Sequence, residues 1–269
     1  MSPVLSHSRV TAPGAAPERW LLVLHGIYGT GRNWGSIARR VVEARPEWGV
    51  LLVDLRLHGG SQGFPPPHTL EATAADVGAL VEHLDFHAAA VLGHSFGGKV
   101  ALAFARDHAE GLRQVWVVDS TLEVRAPSGS AWRIIDVVRS LPEEFASRDE
   151  LVDALETHGY ARPLGQWLAM NLERGEGGFR WRLDWDGIEA LLRDYFRTDL
   201  WSVVETPPPG VEVHVVKAIE SEALGEDDVA RIEAAGRAGG RTLLHRLEGG
   251  HWINTENPDA VVALLVERL

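Results

Sequence analysis

The 269-residue chain contains no cysteine. Disulfides, cysteine-ligated zinc and thiol nucleophiles are therefore excluded together. It also has no excess of positive charge, since 26 Lys and Arg stand against 38 Asp and Glu, a formal net charge of -12. Phosphate binding relies on clustered Lys and Arg, so nucleic acid is not an expected partner. No apolar run approaches the length of a membrane span. The opening MSPVLSHSRVTAPGAAPERW lacks a basic start followed by a long apolar stretch. No secretory signal is expected, and cytoplasmic localisation is the default.

What remains is ordinary for a soluble globular protein, with 45% hydrophobic and 24% charged residues. The length suits one large domain, or a core domain carrying a sizeable insertion. Short apolar runs at Leu21–Leu24, Val50–Val53, Ala88–Leu92, Val115–Val118, Val211–Val216 and Thr242–Leu247 read as strands. Between them, Ile37–Val42, Leu70–Leu84 and Val100–Ala105 have helical spacing, and Pro258–Leu269 reads as a closing helix. This alternation predicts an α/β fold with a mainly parallel sheet flanked by helices. It breaks after Asp119. Residues 120–210 show helical segments and polar turns but no convincing buried strand, and hold five of the ten tryptophans. We read them as a mostly helical insertion between a core of residues 1–119 and 211–269.

The stretch LGHSFGGKV places Ser95 in a G-x-S-x-G pattern, directly after AAAVL and directly before KVALAFA. A strand that turns sharply into a helix leaves the serine exposed on a strained turn. Glycine at 93 and 97 avoids collisions with that turn. Serine needs a base, and in this arrangement the histidine comes after the last strand, where His251 sits in a glycine-lined loop. The developing oxyanion needs donors: the backbone N–H of Phe96, and that of Ile27 in the loop His25-Gly-Ile-Tyr-Gly29 after LLVL. The related stretch GIYGTGR lacks the Gly-Lys-Ser/Thr ending of a phosphate loop. For the acid, Asp119 ends one strand, while Glu220 and Glu222 follow the next; spacing leaves all three open. His83 and His87 straddle a helix end without a third ligand, so no metal site is expected.

Asp54-Leu-Arg-Leu-His-Gly-Gly-Ser61 and Gly93-His-Ser-Phe-Gly-Gly-Lys99 resemble the D-x-R-x-H-G-x-S and G-H-S-M-G-G-K motifs of small serine esterases of the α/β-hydrolase superfamily. Gly-His-Trp-Ile-Asn254, followed by Glu-Asn-Pro258, resembles the histidine loop of that group. The resemblance covers nearly the whole chain. It implies the α/β-hydrolase fold, a cap over the active site formed by residues 120–210, and Asp119 as the acid. Phe96 stands where Met is more common, which keeps the backbone donor and changes the pocket wall. Ser221 lies near where related esterases carry a serine beside the histidine. Arg56 and His58 are expected to brace the loop below the active site.

The expected activity is that of a serine carboxylesterase on short- to medium-chain acyl esters. Its catalytic residues would be Ser95, His251 and Asp119, with Ile27 and Phe96 as the oxyanion hole and no cofactor or metal. A small-molecule ester is the expected partner. Thioesterase, lactonase, perhydrolase and carbon–carbon hydrolase activities would use the same triad. A receptor-like binding protein on the same scaffold is a reading from another class.

Overall fold

The computed structural model describes residues 3–85 and 87–269. Among them are ten strands: β1 (His7–Val10), β2 (Arg19–Leu24), β3 (Trp48–Val53), β4 (Ala88–His94), β5 (Gln114–Val118), β6 (Glu144–Phe145), β7 (Leu172–Arg174), β8 (Phe179–Trp181), β9 (Glu212–Ala218) and β10 (Thr242–Leu247). Seven form one sheet in the order β1-β3-β2-β4-β5-β9-β10. All its pairings are parallel except that of β1 with β3.

The apolar runs become strands because both of their faces are covered. Leu22 and Leu24 of β2 join one buried cluster, with Val77 and Leu80 of helix Leu70–Leu84 and Val100 and Phe104 of helix Phe96–Asp107. Leu21 and Val23 join the other, with Ile37 and Val41 of helix Gly35–Ala44 and Val261 and Leu265 of helix Pro258–Arg268. Two-sided burial explains why WGVLLV is buried at all six positions. Each such Val or Leu contributes about 1.5–3 kcal/mol on leaving water. Local signals set the helix ends: the Thr69 hydroxyl accepts the Ala72 N–H at 3.1 Å, and Asp85 closes the helix in the left-handed region with φ 52°.

Two features differ from the sequence expectation. Strand β1 has no apolar signature, since HSRV lies on the sheet edge with its middle residues exposed. Residues 120–210 carry five α-helices and one short 3-10 helix, as their spacing suggests, but also the small antiparallel sheet β6-β8-β7. Its strands are two or three residues long and only partly buried, too short to show periodicity. The tryptophans there divide their work. Trp181 packs edge to face on Trp185 and on Phe145 within the segment, whereas Trp167 reaches Trp252 after β10 at 4.6 Å between centroids. Among the described residues no helix is long and apolar enough to cross a membrane.

Candidate active site

The register of the sheet brings the carboxyl ends of its central strands to one edge. Leu24 pairs with Val53 and Gly93, His94 with Val118, and Val118 with Val216. Loops leaving that edge carry the candidate residues, the usual place for a site in an open parallel sheet.

Ser95 sits between β4 and helix Phe96–Asp107 with φ 52° and ψ -117°, a conformation unusual for a side-chain-bearing residue. Its N–H donates to the Val118 carbonyl at 2.9 Å, which ties the turn to β5. A Cβ on Gly93 would collide with the Gly97 carbonyl, and one on Gly97 with the carbonyls of Leu24 and His25. Only glycine lets the strand, the turn and the neighbouring loop approach so closely.

His251 lies in the turn after β10. Its Nε2 is 3.0 Å from Ser95 Oγ, and its Nδ1 is 2.7 Å from Asp119 Oδ2. The turn is held from below, where buried His94 donates from Nε2 to the His251 carbonyl at 2.7 Å. Burial, and then the charge His251 can carry, push His94 down to about 4, so it serves as a neutral donor.

Asp119 is fully buried at the end of β5, in the left-handed region with φ 47°. Its N–H donates to the Val216 carbonyl at 2.8 Å, and its Oδ1 accepts the Ala218 N–H at 3.1 Å. Burial alone would raise this carboxyl; hydrogen bonds from His251, Ser221 and Ala218 outweigh it and hold the group below its ordinary value. Glu220 and Glu222 are exposed at the rim of the cavity. The carboxylate beside the imidazole is therefore that of Asp119.

Ile27 and Phe96 line the same cavity as Ser95 and His251. The loop bearing Ile27 is anchored to the loop after β3, since the Tyr28 N–H donates to His58 Nε2 at 3.1 Å. Arg56 points elsewhere: its Nε is 2.6 Å from Asp76 Oδ2 and it also donates to the Pro67 carbonyl at 2.6 Å. Asp54 accepts the N–H groups of Gly31 and Gly60, and Ser61 donates to the Asp54 carbonyl at 2.6 Å. The polar residues of Asp54–Ser61 thus hold loops together. Among the described residues, no group of three or more His, Cys, Asp or Glu is arranged to hold a metal ion.

A profile of the alpha/beta hydrolase family matches residues 21–264, almost the whole chain. The chain belongs to the alpha/beta hydrolase family. The sn-1-specific diacylglycerol lipase ABHD11 of Danio rerio is 29% identical over 180 residues, which span 65% of this chain and 56% of that protein. Esterase YbfF of Escherichia coli is 26% identical over 90% of this chain and 89% of its own. Among solved structures, a marine microorganism esterase superposes with a TM-score of 0.85 at 24% identity, covering 100% of both chains.

Within this hydrolase fold, Ser95 lines two adjoining cavities, and a third lies next to the smaller of them. A cavity of about 30 Å³ beside the serine shares Ser95, Ser130 and His251 with a chamber of about 560 Å³ of mixed lining. On the other side it shares Gly26, His94 and Trp252 with a chamber of about 610 Å³, walled by Trp34, Trp167, Trp252 and Leu164. One further residue of the GHSFGGK stretch has a part that sequence reasoning missed. Buried Lys99 donates to the carbonyls of Glu123, Tyr195 and Thr198 at 2.9, 2.8 and 2.6 Å. Burial pushes its ammonium down to about 8, against the pull of Asp199. A lone lysine ahead of the apolar VALAFA was the available signal.

Proposed function

We propose that the chain is a serine carboxylesterase hydrolysing short- to medium-chain acyl esters. The observation that carries this reading is the unbroken line from Asp119 through His251 to Ser95, open to a cavity at its serine end. Ser95 Oγ gives its proton to His251 Nε2 as it attacks the ester carbonyl. Asp119 accepts from Nδ1–H, which fixes the productive tautomer and stabilises the imidazolium. The amides of Ile27 and Phe96 receive the oxyanion. His251 then returns the proton to the leaving alcohol, and water releases the acyl group by the same steps in reverse.

Residues 120–210 act as a cap over a core of residues 1–119 and 211–269. The chamber walled by Trp34, Trp167 and Trp252 takes the acyl chain, because hydrocarbon loses least on leaving water against such walls. The chamber bearing Arg125, Arg133, Glu220 and Glu222 takes the polar alcohol. Turnover of nitrophenyl esters of rising chain length tests this reading. Repeated turnover should peak at a short or medium acyl length, and Ser95→Ala should lower kcat by about 10⁴-fold or more. A variant as active as the parent, or a single slow turnover with retained ligand, would overturn it.

A further inference from the structure

The loop from His25 to Gly29 contains an arrangement that the triad does not require. His25, after β2, accepts the Leu55 N–H at its Nε2, at 3.0 Å. His58, after β3, accepts the Tyr28 N–H at its Nε2, at 3.1 Å. Each ring thus reaches from its own loop to the backbone of the other, and the two rings lie 5.0 Å apart. With Nε2 accepting, each Nδ1 carries the proton, which His25 donates to the Gly26 carbonyl at 2.7 Å and His58 to the Arg56 carbonyl at 2.9 Å.

The consequence falls on Ile27. A peptide unit is planar, and its C=O and N–H point in opposite directions. The Gly26 carbonyl is fixed by His25 and by the Gly29 N–H at 3.0 Å, so the Ile27 N–H in the same unit is fixed too. The next unit is held by His58. The one after it is held by buried Asn171, between helix Arg162–Leu168 and β7, which donates from Nδ2 to the Tyr28 carbonyl at 2.8 Å. The Tyr28 hydroxyl in turn donates to the Ala131 carbonyl at 2.5 Å. Tyr28 keeps φ 63°, a strained conformation that a non-glycine residue holds only where its surroundings impose it.

We propose that His25, His58 and Asn171 form a clasp that aims the Ile27 amide at the developing oxyanion, making them positioning residues for the reaction. Asn171 lies in the 120–210 segment, so the oxyanion hole is complete only when that segment is seated on the core. The proposal rests on the ester-hydrolase reading above. A donor aimed at the oxyanion acts in the transition state and little in the ground state. Loosening the clasp therefore lowers kcat and leaves KM in place.

The test compares the parent chain with Asn171→Asp, which keeps the shape and removes the donor, and with His58→Leu and His58→Gln. Each is assayed with one nitrophenyl ester for kcat and KM, and with phenylboronic acid, which adds to the serine as a tetrahedral anion. Full loss of an oxyanion donor is worth about 10²–10³-fold, so a misaimed one should cost about 10-fold in kcat for Asn171→Asp and more for His58→Leu. Boronate affinity should fall by the same factor as kcat/KM, with KM within about two-fold. His58→Gln, whose side-chain oxygen accepts the Tyr28 N–H, should recover part of the loss. Unchanged kcat, a loss confined to KM, or lower kcat with unchanged boronate affinity would overturn the clasp. Should Asn171→Asp fail to fold, the contrast between His58→Leu and His58→Gln decides on the same criteria. A parent chain without Ser95-dependent turnover would overturn the ester reading and the clasp with it; a parent active beside equally active variants would overturn the clasp alone.

Discussion

Mild acid should unfold this protein through three histidines grouped around the site. His25, His58 and His94 are each at most 2% exposed. Burial is the largest influence on all three and pushes them down to about 4, 3 and 4. The geometry agrees for two of them, because the Nε2 atoms of His25 and His58 already accept backbone N–H groups. A proton on either would set donor against donor. In the unfolded chain the same rings titrate near 6.5. Above that value both states are neutral and the contribution to stability is complete. As pH falls below it, the unfolded chain binds protons that the folded chain refuses, and stability is lost.

Each ring removes about 1.4 kcal/mol per pH unit across that window, so three remove about 4 kcal/mol per unit. Between pH 6.5 and 5 the loss comes to about 6 kcal/mol, against a total stability of about 5–15 kcal/mol for a typical domain. His214, stacked on Trp116 and pushed down to about 3 chiefly by burial, adds in the same direction. The lowered carboxylates, Asp119 among them, lose their contribution only below their unfolded values near 4, so they leave this window clear. The assay is urea unfolding at steps between pH 7.5 and 5, followed by tryptophan fluorescence and circular dichroism. Stability should be flat above about pH 7 and then fall with a slope of about three to four protons. A slope of one proton or less would refute the reasoning, because the rings would then be charged in the folded state.

Two other substitutions test separate links. Lys99→Met keeps a side chain of similar length in the buried site but strands the carbonyls of Glu123, Tyr195 and Thr198. A loss of about 3 kcal/mol in chemical unfolding is expected, and no change would mean that water replaces the ammonium there. Asp119→Asn preserves shape while presenting an amide to His251 Nδ1, so kcat should fall by about 10⁴-fold with little change in KM. A fall below about ten-fold would return the role of acid to another carboxylate.

The parallel core was legible because two-sided burial writes itself into the sequence as unbroken apolar runs. Thr242–Leu247 and Leu70–Leu84 have the bounds that their patterns suggest, and the remaining core strands shift by a few residues at their ends. The meeting of Ser95 with His251 was legible because a strained turn needs glycines at fixed offsets around the serine, and because the histidine follows the last strand. Edge strand β1 and the sheet β6-β8-β7 were not, since neither has two covered faces to leave a run of apolar residues. Nor was Asn171, whose contact is made across 143 positions of chain with a backbone carbonyl and leaves no mark in local pattern.

The choice between Asp119 and Glu220 shows where spacing stops being informative. Strands β5 and β9 are neighbours with Val118 level with Val216, so the residues just beyond either strand arrive at the same edge of the sheet. Chain order therefore cannot separate them; local backbone geometry can. The left-handed turn at Asp119 directs its N–H to Val216 and its carboxylate inward, where Ala218 of β9 donates to one oxygen and His251 to the other. On the β9 side the chain turns at Ser221, whose N–H donates to the Ala218 carbonyl, and that tight turn leaves Glu220 and Glu222 facing solvent. A carboxylate in water would have to be desolvated before it could hold an imidazolium, whereas Asp119 is already buried with its hydrogen bonds in place. Strand β9 still contributes, through the Ala218 N–H that holds the carboxylate at the end of β5.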